Sequence, residues 1–475
     1  MRNPRYLTAA ICAVLLGAMT ACHTYYTPSS QGTDSGAGSS VVVTAEAAQV
    51  EAEGSSADSE AVSDNSSTEK ASSANAGTSS DSSAAESASS DSSENSALDT
   101  SSLFSDRDLE QTADLTGAQK IIVKDGETTT ISSEGVYVIS GTASNAQILV
   151  AAGDEDKVQL VLDGVTITND STPCIYVQNA DKVFVTTTSS ESSLSVTGTF
   201  TADGDTNTDA VIFSRDDVVL NGTGTLNIAS TDNGISSKDD VKVTGGTINI
   251  TCTSDALEAN ESILMADGTV TIKSQKDGLH AENDEDNTVG YVYIGGGKLT
   301  IDAADDAIHA TTIAQIDGGT IDLTAREGIE GTYIQINDGT VSIAASDDGI
   351  NAGQKSNIST PTVEVNGGEI TIAMGAGDTD AVDSNGNLVL NGGTLDITAQ
   401  SPFDYDGTAQ NNGTTLIVNG TQTDTITNQM MGGGMHGGMG GNADSPFGGG
   451  KHQRGFPQDG QDPGMNGNMQ GGPHW

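Results

Sequence analysis

An all-β chain wound as a parallel β-helix, a solenoid, is the fold class this sequence predicts, and three observations carry the prediction. One short phrase recurs as Gly-Gly-Thr-Ile-Asn-Ile (245–250), Asp-Gly-Thr-Val-Thr-Ile (267–272), Gly-Gly-Lys-Leu-Thr-Ile (296–301) and Gly-Gly-Thr-Ile-Asp-Leu (318–323). It returns as Asp-Gly-Thr-Val-Ser-Ile (338–343), Gly-Gly-Glu-Ile-Thr-Ile (367–372) and Gly-Gly-Thr-Leu-Asp-Ile (392–397). The glycine before Thr, Lys or Glu falls at 224, 246, 268, 297, 319, 339, 368 and 393, with spacings of 22, 22, 29, 22, 20, 29 and 25 residues. Between 105 and 425 no stretch carries a helical period of useful length, while short alternating runs separated by Gly, Asn and Asp turns fill the span.

Self-similarity at this period means a stacked coil rather than a sandwich. Each coil has room for three short strands and three turns, and the coil itself returns the chain, so parallel strands need no crossover helix. Ile248, Ile250, Leu257 and Ile263 are expected to point inward and stack. Roughly fourteen coils at about 4.8 Å each would give a rod of about 65 Å. Ahead of the repeat, Gly135-Val-Tyr-Val-Ile-Ser-Gly141, Val158-Gln-Leu-Val-Leu162 and Lys182-Val-Phe-Val-Thr186 also alternate as strands do.

The ends read differently. Arg2, Arg5 and the apolar run Leu7–Met19 form a short export leader, and Met19-Thr20-Ala21-Cys22 resembles a lipobox, so residues 1–22 are expected to be a lipoprotein signal with lipidation at Cys22. Residues 23–104, rich in Ser, Ala and acids, are expected to be a disordered tether, because they hold no apolar period. The β-helix is expected over 105–428. The Gly/Met-rich stretch 429–475 is expected to be a disordered tail; His436, His452 and His474 there are widely spaced for a copper site.

Composition narrows the function. With 18 Lys and Arg against 66 Asp and Glu the formal charge is −48, which excludes nucleic acid as a partner because phosphate needs a cationic footprint. Of the four cysteines, Cys12 and Cys22 lie in the leader. Cys174 and Cys252 would stand about 15 Å apart at strand spacing, beyond the roughly 7 Å a disulfide allows, so no bridge is expected.

An acidic turn follows each copy of the phrase. Its first position is Asp255, Asp277, Asp306, Glu327, Asp348 and Asp380, with Asn233 at the weak end. Three residues later stand Glu258, His280, His309, Glu330, Asn351 and Asp383, expected to point to solvent, with Ser236 again weak. Bare carboxylates stacked at coil spacing would repel by about 3.5 kcal/mol at an effective dielectric of about 20. Ca²⁺ binds oxygens at about 2.3–2.6 Å, roughly half that spacing, so an ion fits between coils. Asp305 and Asp347 add acid beside the column, as do Glu282, Asp284, Glu285 and Asp286. Calcium is therefore the expected cofactor, with Asp255, Glu258, Asp277, Asp305, Asp306, Glu327, Glu330, Asp347, Asp348, Asp380 and Asp383 as ligands. Plain turn chemistry, in which Asp and Asn bond the local backbone, is the competing account.

Gly135-Val-Tyr-Val-Ile-Ser-Gly141, Leu162-Asp-Gly-Val-Thr-Ile167, Cys174-Ile-Tyr-Val-Gln-Asn-Ala-Asp-Lys182 and the repeated Asp-Gly/Ala-Ile-His turns together resemble the secreted carbohydrate-binding parallel β-helix family, over roughly residues 115–420. The resemblance implies a right-handed, pectate-lyase-like β-helix with bound calcium and affinity for cellulose or pectic acid sugars. The Asp and His columns of that family map onto positions 277, 280, 306, 309, 348 and 351, whereas Asn233-Gly-Ile-Ser236 departs from the acidic pattern.

The expected function is calcium-dependent, non-catalytic polysaccharide binding by a monomer held at the cell surface through a lipid anchor. His280, His309, Arg326, Tyr333 and Asn351 are the expected sugar contacts. Tyr291, Tyr293, Phe403 and Tyr405 are further candidate sugar platforms, with coil packing as the equal alternative for these and for Tyr333. A calcium-dependent lyase is the alternative; it needs a poised base, and Arg326, beside Glu327, reads first as an ion-pair partner. An adhesin or structural spacer is the third reading.

Overall fold

The computed structural model describes residues 39–43, 97–283, 285–376 and 379–428, with side chains from 97 onward. The expected signal peptide with Cys22 and the Met- and His-containing tail lie outside the described residues. Among those described, the only helical element is a 3₁₀ turn at Thr100–Ser102; the rest of the regular structure is strand.

The all-β expectation holds. One sheet has 13 strands, and a second sheet of 24 strands is built from two ladders running side by side. Within each ladder, from Thr225 onward, a strand pairs in parallel with the third strand further along. Asp240–Val243 pairs with Ser262–Met265, which pairs with Tyr291–Ile294. Thr247–Thr251 pairs with Thr269–Lys273, then with Lys298–Asp302. Each coil therefore contributes three strands, as the repeat requires. The registers join equivalent positions, such as Ile248 to Val270 and Ile250 to Ile272, which is why the apolar residues stack.

Ile248, Ile250, Leu257 and Ile263 are all buried in one core that runs from Ile121 to Leu416. The repeat glycine turns each coil with positive φ. Gly393 has φ 73°, and a Cβ there would lie 2.6 Å from the backbone of the preceding coil, so only glycine fits. Asparagines add a ladder along another edge: Asn366, Asn391 and Asn412 each donate through Nδ2 to the asparagine one coil back, at 2.8 Å. Cys174 and Cys252 are both free and buried, as their spacing predicts. At the C-terminal end the pattern closes with an antiparallel hairpin, Thr415–Val418 against Thr421–Thr423, turned by Asn419 and Gly420 at φ 51° and 74°.

Two parts of the expected tether, 39–43 and 98–104, belong to the fold, the second continuing into 105–111. Ser39–Val43 pairs in parallel with Glu127–Ile131 at the N-terminal edge. Residues 98–111 form a strap across the outer face of the sheets. Leu103 packs with Leu264 and Tyr293, the Phe104 ring lies 6.3 Å from that of Tyr293, and the Arg107 guanidinium sits 4.5 Å over Phe184. Gln111 Nε2 donates to the Thr244 carbonyl at 2.9 Å, and its Oε1 accepts from the Gly222 amide at 3.0 Å. Leu98, Leu103 and Phe104 among many Ser and Asp are too few to show in composition, yet each packs on an existing surface, whereas Leu109 stays exposed.

Candidate functional site

The acidic turns stack in register. Along the first sheet the second position of each turn forms a column, Ser236, Glu258, His280, His309, Glu330, Asn351, Asp383 and Asp404, one residue per coil. The first position forms a parallel column that ties the coils together. Asp255 Oδ1 accepts the Asp277 amide and Asp277 Oδ1 accepts the Asp306 amide, both at 2.9 Å; Asn233 Oδ1 accepts the Asp255 amide at 3.0 Å. Asp255 and Asp277 thus each spend one carboxylate oxygen on the amide of the next coil, 22 and 29 residues on, rather than on the local backbone that turn chemistry uses. The other oxygens are left for charge.

Those oxygens are met by cations of the chain itself over coils 255–330. Lys276 Nζ lies 3.0 Å from Asp255 Oδ2. His280 Nδ1 lies 2.6 Å from Asp277 Oδ2 and its Nε2 3.2 Å from Glu282 Oε2. His309 Nδ1 lies 2.7 Å from Glu330 Oε2 and 3.3 Å from Asp306 Oδ2. Lys355 Nζ reaches Glu330 Oε1 at 2.6 Å. Arg326 gathers four acids: Asp305 at 2.5 Å, Asp347 at 2.6 Å, Glu327 at 2.7 Å and Asp306 at 3.5 Å. Asn351 Nδ2 donates to Glu327 Oε2 at 2.9 Å and Asn233 Nδ2 to Glu258 Oε2 at 2.7 Å.

The second column does not simply face solvent, which corrects that expectation. His309 and Glu330 are buried, and His280 and Glu258 are half-buried, because the paired carboxylate and cation partners cover them. Burial opposes the His309 imidazolium, but its hydrogen bonds to Asp306 and Glu330 win and raise it to about 10. Burial likewise works to raise Glu330, and the His309 and Lys355 contacts overcome it and hold that carboxyl low. Asp306 moves the other way: burial and the charges of Asp277, Glu327 and Glu330 push it up despite His309. The shorter His309 bond to Glu330 agrees with this division. At Asp277 burial is again outweighed, here by the His280 hydrogen bond, the Asp306 amide and both histidine charges, and the carboxyl stays below its usual range.

Further along, the column loses its counterions. Among the described residues no Lys, Arg or His forms an ion pair with Asp348, Asp383 or Asp404. Burial first, then the charges of Asp383, Glu327 and Asp347, push Asp348 up to about 7, although the Asp380 amide bonds it. Burial and the charges of Asp404, Asp380 and Asp406 push Asp383 up to about 6. Asp380 accepts from the Ser401 hydroxyl.

The aromatic platforms need correction. Tyr333 is buried, with its hydroxyl on Glu364, and Phe403 is buried in the core. Tyr293 lies under the strap. These rings occupy positions that fill the stack and present no flat face for a sugar. Polar groups are open instead. Beside His280 an open depression of about 450 Å³ is lined by Lys238, Glu258, Asn260 and Glu282.

One cluster escaped the sequence reading. One carboxylate oxygen each from Asp217, Asp239 and Asp240 lies within 4.8 Å of the others. Lys182 reaches Asp217 at 3.3 Å and Lys242 reaches Asp240 at 3.4 Å. Burial, Asp217 and Glu261 push the Asp239 carboxyl up. The signal was present as Ser214-Arg-Asp-Asp217 and Ser237-Lys-Asp-Asp240, a second acidic repeat one coil apart.

The site is thus an ordered polar and charged column on a stack of parallel strands. The carbohydrate-binding domain-containing protein family matches residues 125–378 and 324–438, well over half the chain, and the chain belongs to that family. A carbohydrate-binding domain-containing protein of Acetivibrio thermocellus is 38% identical over 119 residues, covering 24% of this chain and 42% of the relative. The match therefore spans less than half of that relative's length. A solved polysaccharide lyase-like protein from C. thermocellum, a gadolinium derivative, overlaps 63% of this chain and 96% of its own at 24% identity and a TM-score of 0.37. That overlap is too loose to argue from.

Proposed function

We propose that the chain is a calcium-dependent, non-catalytic binder of cellulose or acidic plant-wall polysaccharide. In this reading it folds as a right-handed parallel β-helix and is exported and held at the cell surface by a lipid on Cys22. Family membership carries the polysaccharide part of the reading. Right-handedness follows the rule that parallel strand crossovers in L-proteins take that hand. The sugar is met along the second column, with the depression beside His280 as one subsite and Lys238, Arg326, Lys355 and Asn351 as donors to hydroxyls or carboxylates. Arg326 and Lys355 keep 43% and 39% of their side chains exposed, so they can serve both neighbouring acids and a ligand.

Calcium belongs where the chain supplies no cation of its own. Asp348 and Asp383 fit it best, because their raised carboxyls mark charge that no Lys, Arg or His among the described residues pairs with. The other acids expected as ligands, from Asp255 to Asp347, already face Lys276, Lys238, His280, His309, Lys355 or Arg326. Bound there, Ca²⁺ would bridge protein and sugar carboxylates through open coordination positions.

The non-catalytic reading rests on His309 and Arg326, the basic groups inside the acidic column. A lyase needs a neutral, poised base, whereas His309 holds its proton to about 10 and Arg326 is tied to four acids. The deciding experiment is a pull-down of the full chain on insoluble cellulose and on calcium pectate, with and without chelator. Retention lost to chelator is expected. Equal passage through both matrices in calcium would overturn the binding reading, and ultraviolet-absorbing unsaturated product from polygalacturonate would overturn the non-catalytic one. Loss of palmitate labelling in Cys22→Ser tests the anchor, and light scattering tests the expected monomer.

A further inference from the structure

The outward column of the first sheet begins apolar. Before it reaches Ser236 and Glu258 it runs through Leu149, Tyr176 and Phe213, one residue per coil. The Tyr176 and Phe213 rings meet edge to face with centroids 5.8 Å apart. The corner that later coils cross in a short turn, such as 230–232, carries a longer loop here, residues 197–209 between Glu191–Val196 and Ala210–Ser214. That loop is tied down. The Thr201 amide donates to the Ser171 carbonyl at 2.8 Å, and the Thr208 hydroxyl donates to the Thr201 carbonyl at 3.1 Å. Asp203 and Thr206 exchange backbone hydrogen bonds at 2.9 Å, and the Arg215 guanidinium donates to the Thr206 hydroxyl.

Between the loop and the column lies an open cleft of about 270 Å³. Leu149, Pro173 and Tyr176 give it apolar surface, and Gln147, Gln178 and Asp203 add amide and carboxylate groups. Asp203 Oδ2 accepts from the Tyr176 hydroxyl at 2.9 Å and from Gln178 Nε2 at 3.2 Å, which fixes the carboxylate in place. Its Oδ1, and the Oε1 atoms of Gln147 and Gln178, accept no hydrogen bond from the described residues. Apolar surface beside a few fixed polar groups is what a sugar ring needs, because the ring offers C–H faces and a rim of hydroxyl donors. Asp203 is the one charged residue lining the cleft, so a uronate would meet a like charge with no lysine or arginine in the lining.

We propose that this cleft seats one ring of a neutral polysaccharide such as cellulose, without calcium, with Asp203, Gln147 and Gln178 accepting from its hydroxyls. The ligand class rests on the polysaccharide reading; the cleft adds a subsite on the same column as the depression beside His280. One ring is too little to hold the chain on a matrix, so retention there still depends on the calcium positions.

The test uses the full chain, chelator-treated, with soluble cellotetraose and tetragalacturonate as probes and saturation transfer from protein to sugar as the readout. Transfer to cellotetraose and none to tetragalacturonate is expected. Asp203→Ala and Gln178→Ala should each weaken cellotetraose at least about threefold, the scale of a lost hydrogen bond, while Glu155→Ala on an exposed turn leaves it unchanged. No transfer to cellotetraose overturns the cleft, and so does equal transfer to an Asp203→Ala/Gln178→Ala chain. Should that chain lose the parent circular dichroism, the methyl resonances of the parent decide: those of Leu149 are expected to shift with cellotetraose, and shifts confined to residues away from the cleft overturn the site. Retention on cellulose in calcium without cellotetraose transfer removes the cleft alone, whereas cellotetraose transfer with passage through both matrices removes the retention reading alone.

Discussion

The coils from Asp277 to Glu330 and those from Asp348 to Asp404 are built on the same repeat but solve the problem of stacked acid in opposite ways. In the first region His280, His309, Arg326 and Lys355 sit among the carboxylates, and the charge is neutralised internally. In the second the described residues supply no such cation to Asp348, Asp383 or Asp404, and burial with mutual repulsion raises Asp348 and Asp383 instead. The difference teaches that the acidic column is not one uniform ladder. Half of it is a closed salt-bridge network, and half carries charge that protons or external cations must answer.

The largest effect should come from His309→Ala. It strips two buried carboxylates of their shared partner, and removing one member of a buried pair costs about 3 kcal/mol or more. Urea unfolding at neutral pH measures this; a loss under about 1 kcal/mol would show that the pair behaves like an ordinary surface contact.

Arg326→Met should cost less, about 2 kcal/mol, because the guanidinium is 43% exposed and solvent screens its four contacts. Arg326→Lys should recover only part, since an ammonium cannot reach four acids in a fork. Full recovery by Lys would break the idea that geometry, rather than net charge, closes this network.

The second region should respond with the opposite sign. At pH 8 without calcium, Asp348→Asn or Asp383→Asn should stabilise by on the order of 1 kcal/mol, by removing a repelled charge. The sign follows from linkage. Asp348 has a folded value of about 7 against 3.8 in the reference state, so its contribution is intact below about pH 4 and lost as pH rises to 7. The first region runs otherwise: the His309 contribution is full below 6.5 and is lost only as pH passes about 10. Glu330, held low, contributes above 4.5 and loses that only in stronger acid. Unfolding midpoints at pH 4, 6 and 8 for wild type and Asp348→Asn separate the two; parallel curves would remove the contrast between the regions. With saturating Ca²⁺ the wild-type midpoint should rise and the Asp348→Asn midpoint should not.

The smallest effect is expected from Tyr333→Phe. Its ring lies in the stack rather than at either region's surface, so polysaccharide retention should be unchanged, with stability lowered by about 1 kcal/mol for the lost bond to Glu364. A large loss of retention would return the aromatic platform to the site.

Much of the fold could be read from spacing. Gly246 to Gly393 set the period, and the aliphatic phrases between them set the inward face, so the pairing of Ile248 with Val270 follows from the sequence alone. The acidic columns could be read as well, because equal offsets from the repeat glycine must stack. What could not be read is which acid meets which cation. Arg326 bonds Asp305 and Asp347, each 21 residues away in opposite directions, and Lys355 reaches back to Glu330 out of an insert. The strap at 98–111 was equally hidden, since Leu98 donates its amide to Gln315, 217 residues away.

The sequence by itself determined a coil, its period and the residue types in each column, because a repeat dictates its own neighbours whenever strands pair in register. Tertiary structure decided the charge pairing and the strap. Those contacts depend on side-chain reach and on where inserts and termini return to the surface, and no period encodes either. The acidic turn is thus one motif in the sequence and two electrostatic environments in the folded chain.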